Sequence, residues 1–239
     1  MPGLTIDGLM SGMGSLPAGS TTELQVTGRA GVPLDGVVAV LNVTATAAQG
    51  GGDVTACPCG VPRPNASNLN FEVGDTIANA VFATIGEAGK VCLYVSATTD
   101  LIVDLDGFVP SGSTFGPLLP ARLLDSRGPG LTVDGMFSGR GRLVAGTVTR
   151  LAVAGRGAIP RPSGAAVLNV TVVGAESPGY LTVYPCNQTR PNASNLNFSA
   201  KQAIPNAVLA KLDVTGSICV YTSATVDLIV DVNGFLPTS

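Results

Sequence analysis

The chain repeats itself once, from end to end. Arg63-Pro-Asn-Ala-Ser-Asn-Leu-Asn-Phe71 returns as Arg190 through Phe198, an offset of 127 residues (190 minus 63). Val40-Leu-Asn-Val-Thr44 returns as Val167 through Thr171, and Asp100-Leu-Ile-Val-Asp104 as Asp227 through Asp231, at the same offset. Residues 2–110 align with 129–237 without a gap. A period this long, present twice, is duplication of a whole domain and not a solenoid repeat. Whatever this sequence folds into must close on itself within about 110–120 residues, an ordinary domain size, and must do so twice.

The local pattern inside each copy is that of strands. In Thr22–Thr27, Leu24 and Val26 face one way while Glu23 and Gln25 face the other. Leu41, Val43 and Ala45 alternate with Asn42 and Thr44, and Leu101, Val103 and Leu105 alternate with Asp100, Ile102, Asp104 and Asp106. Period-2 alternation of this kind marks half-buried strands. Further strands are expected over 54–59, 67–73, 79–85 and 90–97. Turn clusters such as Gly50-Gly-Gly-Asp53 and Gly86-Glu-Ala-Gly89 separate them. The chain is accordingly expected to be all-β: two tandem antiparallel β-sandwiches of Greek-key, immunoglobulin-like or jelly-roll type. The expected limits are 1–110 for the first sandwich, 111–119 for a linker and 120–239 for the second. Pro120-Ala-Arg-Leu-Leu-Asp-Ser-Arg127 reads as an extra opening strand that copy 1 lacks.

The cysteines follow the duplication. Cys59 and Cys92 match Cys186 and Cys219, so one disulfide per copy is expected. A loop of that length should stabilise its domain by roughly 3–4 kcal/mol on the chain-entropy account. Buried free thiols are the alternative. Oxidised pairs would put the protein outside a reducing cytosol. Cys57 matches Tyr184 and lies outside the shared plan, so a free thiol is expected there, with disulfide scrambling with Cys59 or an intermolecular bridge as the lesser options.

Composition removes many functions. Histidine is absent, which excludes His-based acid–base chemistry, Ser-His-Asp and Cys-His nucleophiles, and His-ligated metals. Charged residues are only 12% and the net charge is −3, so nothing favours nucleic acid. No apolar run reaches membrane-spanning length, so no membrane insertion is expected. Met1-Pro2-Gly3-Leu4-Thr5 does not read as a signal peptide; an exported protein would have been trimmed ahead of it.

Five phrases carry a resemblance: Pro120 through Arg127, Leu168-Asn-Val-Thr171, Tyr180-Leu-Thr-Val-Tyr-Pro185, Arg190 through Phe198, and Asp231-Val-Asn-Gly-Phe235. Together and in this order they resemble a repeated all-β domain of secreted and surface proteins of actinobacteria and related bacteria. The resemblance implies an accessory extracellular module, often in arrays or beside enzymatic domains. It implies no catalytic activity and no ligand, so no functional residue is carried over. Copy 1 departs from it by lacking the opening strand and by placing Asp53 and Cys57 where copy 2 has Tyr180 and Tyr184.

The candidate ligand-binding residues are polar and aromatic. Arg63, Asn65, Asn68 and Asn70, with Arg190, Asn192, Asn195 and Asn197 in copy 2, offer guanidinium and amide groups suited to sugar hydroxyls or carboxylates. The structural alternative is that these asparagines satisfy turns and neighbouring backbone. Tyr180 and Tyr184 share a strand face and could stack on a sugar ring, but core or sheet-surface packing is the favoured reading, and the absence of Trp weakens the sugar one. Asp104 and Asp106 hint at calcium, but Asn233 replaces the second in copy 2 and the oxygen count falls short of six to eight. The same substitution breaks any paired-carboxylate glycosidase arrangement. The expectation is a non-enzyme with no cofactor: an extracellular structural or adhesion module of a bacterial surface, filament or appendage that self-associates. The alternative is a carbohydrate-binding module anchoring a larger secreted protein to cell wall or polysaccharide.

Overall fold

A computed structural model describes residues 5–238. The chain divides into two compact units, 1–113 and 114–239. Unit 1 holds β1 (Thr21–Gln25), β2 (Gly36–Thr46), β3 (Gly52–Pro58), β4 (Leu69–Phe71), β5 (Ile77–Thr84), β6 (Lys90–Val95) and β7 (Asp100–Pro110). One sheet runs β1-β6-β3-β4 and the other β5-β2-β7, all antiparallel. Between them lie Ala39, Leu41, Val43 and Ala45 from β2, Val81 and Ala83 from β5, and Val54, Leu69, Phe71, Leu93 and Val95 from the facing sheet. The alternation read from the sequence is the reason: each strand has one apolar edge of side chains to bury, and two sheets bury them against each other.

Unit 2 repeats this plan with β8 (Gly116–Asp125), β9 (Val148–Ala152), β10 (Ala165–Val173), β11 (Gly179–Pro185), β12 (Leu196–Phe198), β13 (Ile204–Lys211), β14 (Ser217–Thr222) and β15 (Asp227–Leu236). Its sheets are β12-β11-β14-β9 and β13-β10-β15-β8. Each unit is thus a two-sheet antiparallel sandwich.

Two features differ from expectation or sharpen it. Residues 116–119, expected in the linker, belong to strand β8, which pairs with β15 from Phe235↔Gly116 to Ile229↔Asp125. Pro117 lies within this stretch, but proline is tolerated on an edge strand and at bulges, and the β8–β15 register slips twice along the strand. Copy 1 has no counterpart of β8 among the described residues, so β7 is the edge of its three-stranded sheet.

Both disulfides are present. Cys59–Cys92 joins the end of β3 to its neighbour β6, and Cys186–Cys219 joins the end of β11 to β14. Such bonds form in an oxidising compartment. Cys57 is free and buried, and burial pushes its thiol above the ordinary value despite the nearby Arg63. No helix among the described residues is long and apolar enough to cross a membrane.

Candidate functional site

The shared Arg-Pro-Asn-Ala-Ser-Asn-Leu-Asn-Phe block forms the loop that leads into β4, and into β12 in unit 2. Its second asparagine is occupied within the fold. The Asn68 side-chain carbonyl accepts the Ala56 N–H at 2.7 Å, its backbone N–H donates to Val54, and its backbone carbonyl accepts the Asn79 amide at 2.6 Å. Asn195 does the same with Val183, Leu181 and Asn206. The Thr55 and Thr182 hydroxyls donate to Ala66 and Ala193 on the same loop. Asn68 and Asn195 therefore pin the loop to β3 and β11; their acceptor groups do not face a ligand. Asn70 is half-buried and accepts the Ser67 hydroxyl at 3.1 Å. Asn65, Asn192 and Asn197 are exposed.

The arginine that opens the block has a partner the sequence reading missed. Arg63 lies over the Tyr94 ring at 3.8 Å, and Arg190 over the Tyr221 ring at 3.7 Å. Tyr94 and Tyr221 are matched by the duplication and sit two residues beyond the bonded Cys92 and Cys219, on the same strand face. That spacing, together with the 127 offset (221 minus 94), was the available signal. A guanidinium over an aromatic face is held by the ring quadrupole.

The outer face of the disulfide sheet gathers these groups. On β11 the inward residues are Leu181 and Val183, so Tyr180, Thr182 and Tyr184 point the other way. The register sets Tyr180 opposite Asn197, Thr182 opposite Tyr221, and Tyr184 opposite Cys219. Tyr180 and Tyr221 approach to 5.8 Å between ring centroids at a 44° tilt. Unit 2 thus presents Tyr180, Tyr221, Arg190 and Asn197 together, while Tyr184 is buried beside the disulfide. The Tyr221 side chain raises the Arg190 pKa above its ordinary value. The corresponding face of unit 1 keeps Arg63, Tyr94 and Asn70 but substitutes Asp53 and Cys57 for the two tyrosines, so it is smaller and more acidic.

A second concave region in unit 2, of about 420 Å³, lies along β9 and is lined by Phe137, Arg140, Leu143 and Val148, with Arg142 and Arg150. Its cations are largely engaged. Arg142 contacts Glu176 and Asp227, Arg150 contacts Asp213 at 2.9 Å, and Arg140 lies over Phe137.

Asp104 and Asp106 are exposed on β7. No group of three or more His, Cys, Asp or Glu side chains that could hold a metal ion occurs among the described residues. The counterpart of Asp104 shows what this carboxylate can do: Asp231 receives a two-pronged bond from Arg122, at 2.8 and 3.1 Å. No protein-family model and no curated protein matches the chain.

Proposed function

We propose that this protein is a non-catalytic extracellular structural or adhesion module of a bacterial surface, filament or appendage, one that self-associates through its two unlike copies. The observation that carries the reading is their charge. Residues 2–110 contain three basic and ten acidic side chains, a net of −7; residues 111–239 contain ten basic and six acidic, a net of +4. The contrast arises at matched positions of one fold: Glu23 against Arg150, Asp53 against Tyr180, Leu34 against Arg161. An acidic unit of one chain meeting a basic unit of the next is a heterologous contact, which propagates or closes into a ring. The disulfides support an oxidising, extracellular setting, and the five phrases quoted above support the reading through their resemblance to the repeated all-β domain of actinobacterial surface proteins. Static light scattering of the full chain at rising concentration and low ionic strength tests the reading. Growth in mass is expected; a strict monomer throughout would exclude it.

The face built from Tyr180, Tyr221, Arg190 and Asn197 favours a second reading, a carbohydrate-binding module. Tilted aromatic rings bordered by a guanidinium and an exposed amide suit a sugar with hydroxyl or carboxylate groups. Sugar binding on a glycan array, lost in Tyr221→Ala, would shift the assignment to this alternative.

A further inference from the structure

The outer faces of the two disulfide sheets differ in charge as well as in size. In unit 1 the face carries Glu23 on β1, opposite Cys92, and Asp53 on β3, opposite Asn70. These two acids offset its two cations, Arg63 and Lys90, and Glu23 meets Lys90 at 2.7 Å. In unit 2 the same positions are Arg150, opposite Cys219, and Tyr180, opposite Asn197, while Ser217 matches Lys90. Arg150 and Arg190 are thus the cations of the unit 2 face. Asp213, which Arg150 meets at 2.9 Å, is the one carboxylate that reaches either of them among the described residues.

Arg190 is open to an anion. It is exposed, with its guanidinium 3.7 Å from the centroid of the Tyr221 ring. Stacking occupies one face of the planar group and leaves the N–H donors at its edges available. The side chains that act on it electrostatically are Tyr221, Tyr180 and Tyr184. Tyr180 borders it, its ring 5.8 Å from that of Tyr221. Asn197 is exposed, and its amide makes no hydrogen bond among the described residues, whereas its counterpart Asn70 accepts the Ser67 hydroxyl. Arg150 meets Asp213 and Thr215 through one nitrogen, at 2.9 and 2.7 Å, which leaves its other N–H groups uncommitted. It stands one strand and two residues from Tyr221, roughly 5 and 7 Å in sheet spacing.

We propose that this face of unit 2 binds an acidic polysaccharide, a chain whose sugar units carry carboxylates. One carboxylate takes two N–H groups of Arg190, the sugar ring lies against Tyr180, and Asn197 exchanges hydrogen bonds with the hydroxyls. A carboxylate further along the chain meets Arg150. Unit 1 keeps Arg63 on Tyr94 and does not bind, because Asp53 removes the ring surface and repels the ligand. The inference rests on the carbohydrate reading of this face and names the class of sugar.

Isothermal titration of the full chain with two uronate probes, oligogalacturonate and hyaluronan fragments, tests it. Methyl-esterified oligogalacturonate is the neutral control, and poly-L-glutamate is a carboxylate chain without sugar. Binding of a uronate at one site per chain is expected, weakened roughly tenfold or more by Arg190→Gln. Arg190→Lys should not restore it, since lysine keeps the charge and loses the planar fork. Arg63→Gln, the matched change in unit 1, should leave binding as it was. Thermal transitions of Arg190→Gln that match the parent would show that the loss is not unfolding. Binding of the neutral ester at equal or greater affinity, unmoved by Arg190→Gln, would overturn this inference and leave the carbohydrate reading standing. Failure of every sugar would overturn both. Equal affinity for poly-L-glutamate would mark a general anion surface, and a loss in Arg63→Gln as large as in Arg190→Gln would place the site elsewhere; either would overturn the proposal.

Discussion

Single residues in this protein are most consequential where they complete a buried hydrogen bond or a buried charge pair. Asn68 and Asn195 each accept a strand N–H through the side-chain carbonyl. Truncation would leave that strand amide buried without a partner, at a cost of about 1–3 kcal/mol. Asn195→Ala should therefore lower the unfolding free energy of unit 2, read from urea denaturation, by that amount, and Asn68→Ala that of unit 1; a change below about 0.5 kcal/mol would mean water or another acceptor substitutes readily. The carboxylates give a pH signature. The Arg156 guanidinium holds Asp134 below the usual carboxylate range, as Arg29 holds Asp7. Burial pushes Asp125 and Asp213 up, but the Arg127 fork on the first and the Thr215 hydroxyl with the Ser217 and Thr215 amides on the second prevail, and both sit low. In the unfolded chain such groups titrate near 3.9 or so. The unfolded state therefore binds more protons through the acid range, and the stabilisation, full above about pH 5, is lost as pH falls through the lower folded values. Denaturant midpoints should be level near neutrality and fall below about pH 4–5, with a shallower acid limb in Asp125→Asn. A midpoint that stays level to about pH 2 would refute this account.

Among elements, the edge strands decide the contrast between the two copies. β15 is a central strand, flanked by β10 and β8, whereas β7 pairs with β2 alone. An unpaired edge leaves backbone groups open and the core behind it incompletely covered. Calorimetry of the full chain should show unit 1 unfolding first. Joining residues 116–128 ahead of Pro2 should raise only the lower transition, since each kcal/mol gained is worth roughly 4–8 °C in a domain of this scale. An unmoved lower transition would mean that this stretch cannot complete the first sandwich. The remaining ladders are matched strand for strand between copies, down to the bulge that follows Val40 in β2 and Val167 in β10.

At the scale of the whole molecule the two copies share a fold and differ in surface charge. Opposite nets of −7 and +4, from three basic against ten acidic residues and ten against six, act over distances that salt curtails. The Debye length falls from about 30 Å at 0.01 M to about 8 Å at 0.15 M. Charge-guided association should therefore weaken as salt rises, so the scattering mass should be largest at low ionic strength and fall along a salt series. Mass that grows with salt would point to apolar contacts and not complementary charge as the source of any assembly.

Duplication, strand alternation and the matched cysteines were legible in the residues alone, because each is a local pattern or a comparison of the chain with itself. Period 2 along Leu41–Ala45 follows from strand geometry, and two copies carrying one cysteine pair at one spacing leave little choice of partner. The Asn-rich block and the opening phrase behaved otherwise. Nothing local distinguishes an amide that meets a sugar from one that meets a strand; Asn195 became a pin only when folding set it beside Val183. Gly116-Pro-Leu-Leu119 carries the residue types of a linker, and it belongs to a strand because it pairs along β15, where a register shift between Val232 and Gly234 takes up the irregular stretch. Tyr221 lies 31 residues (221 minus 190) from the arginine it supports, and antiparallel pairing of β14 with β11 brings the Tyr221 strand beside the one that leads into the Arg190 loop. Contacts between residues distant in the chain depend on which strands become neighbours, and strand order is a property of the packed sheets.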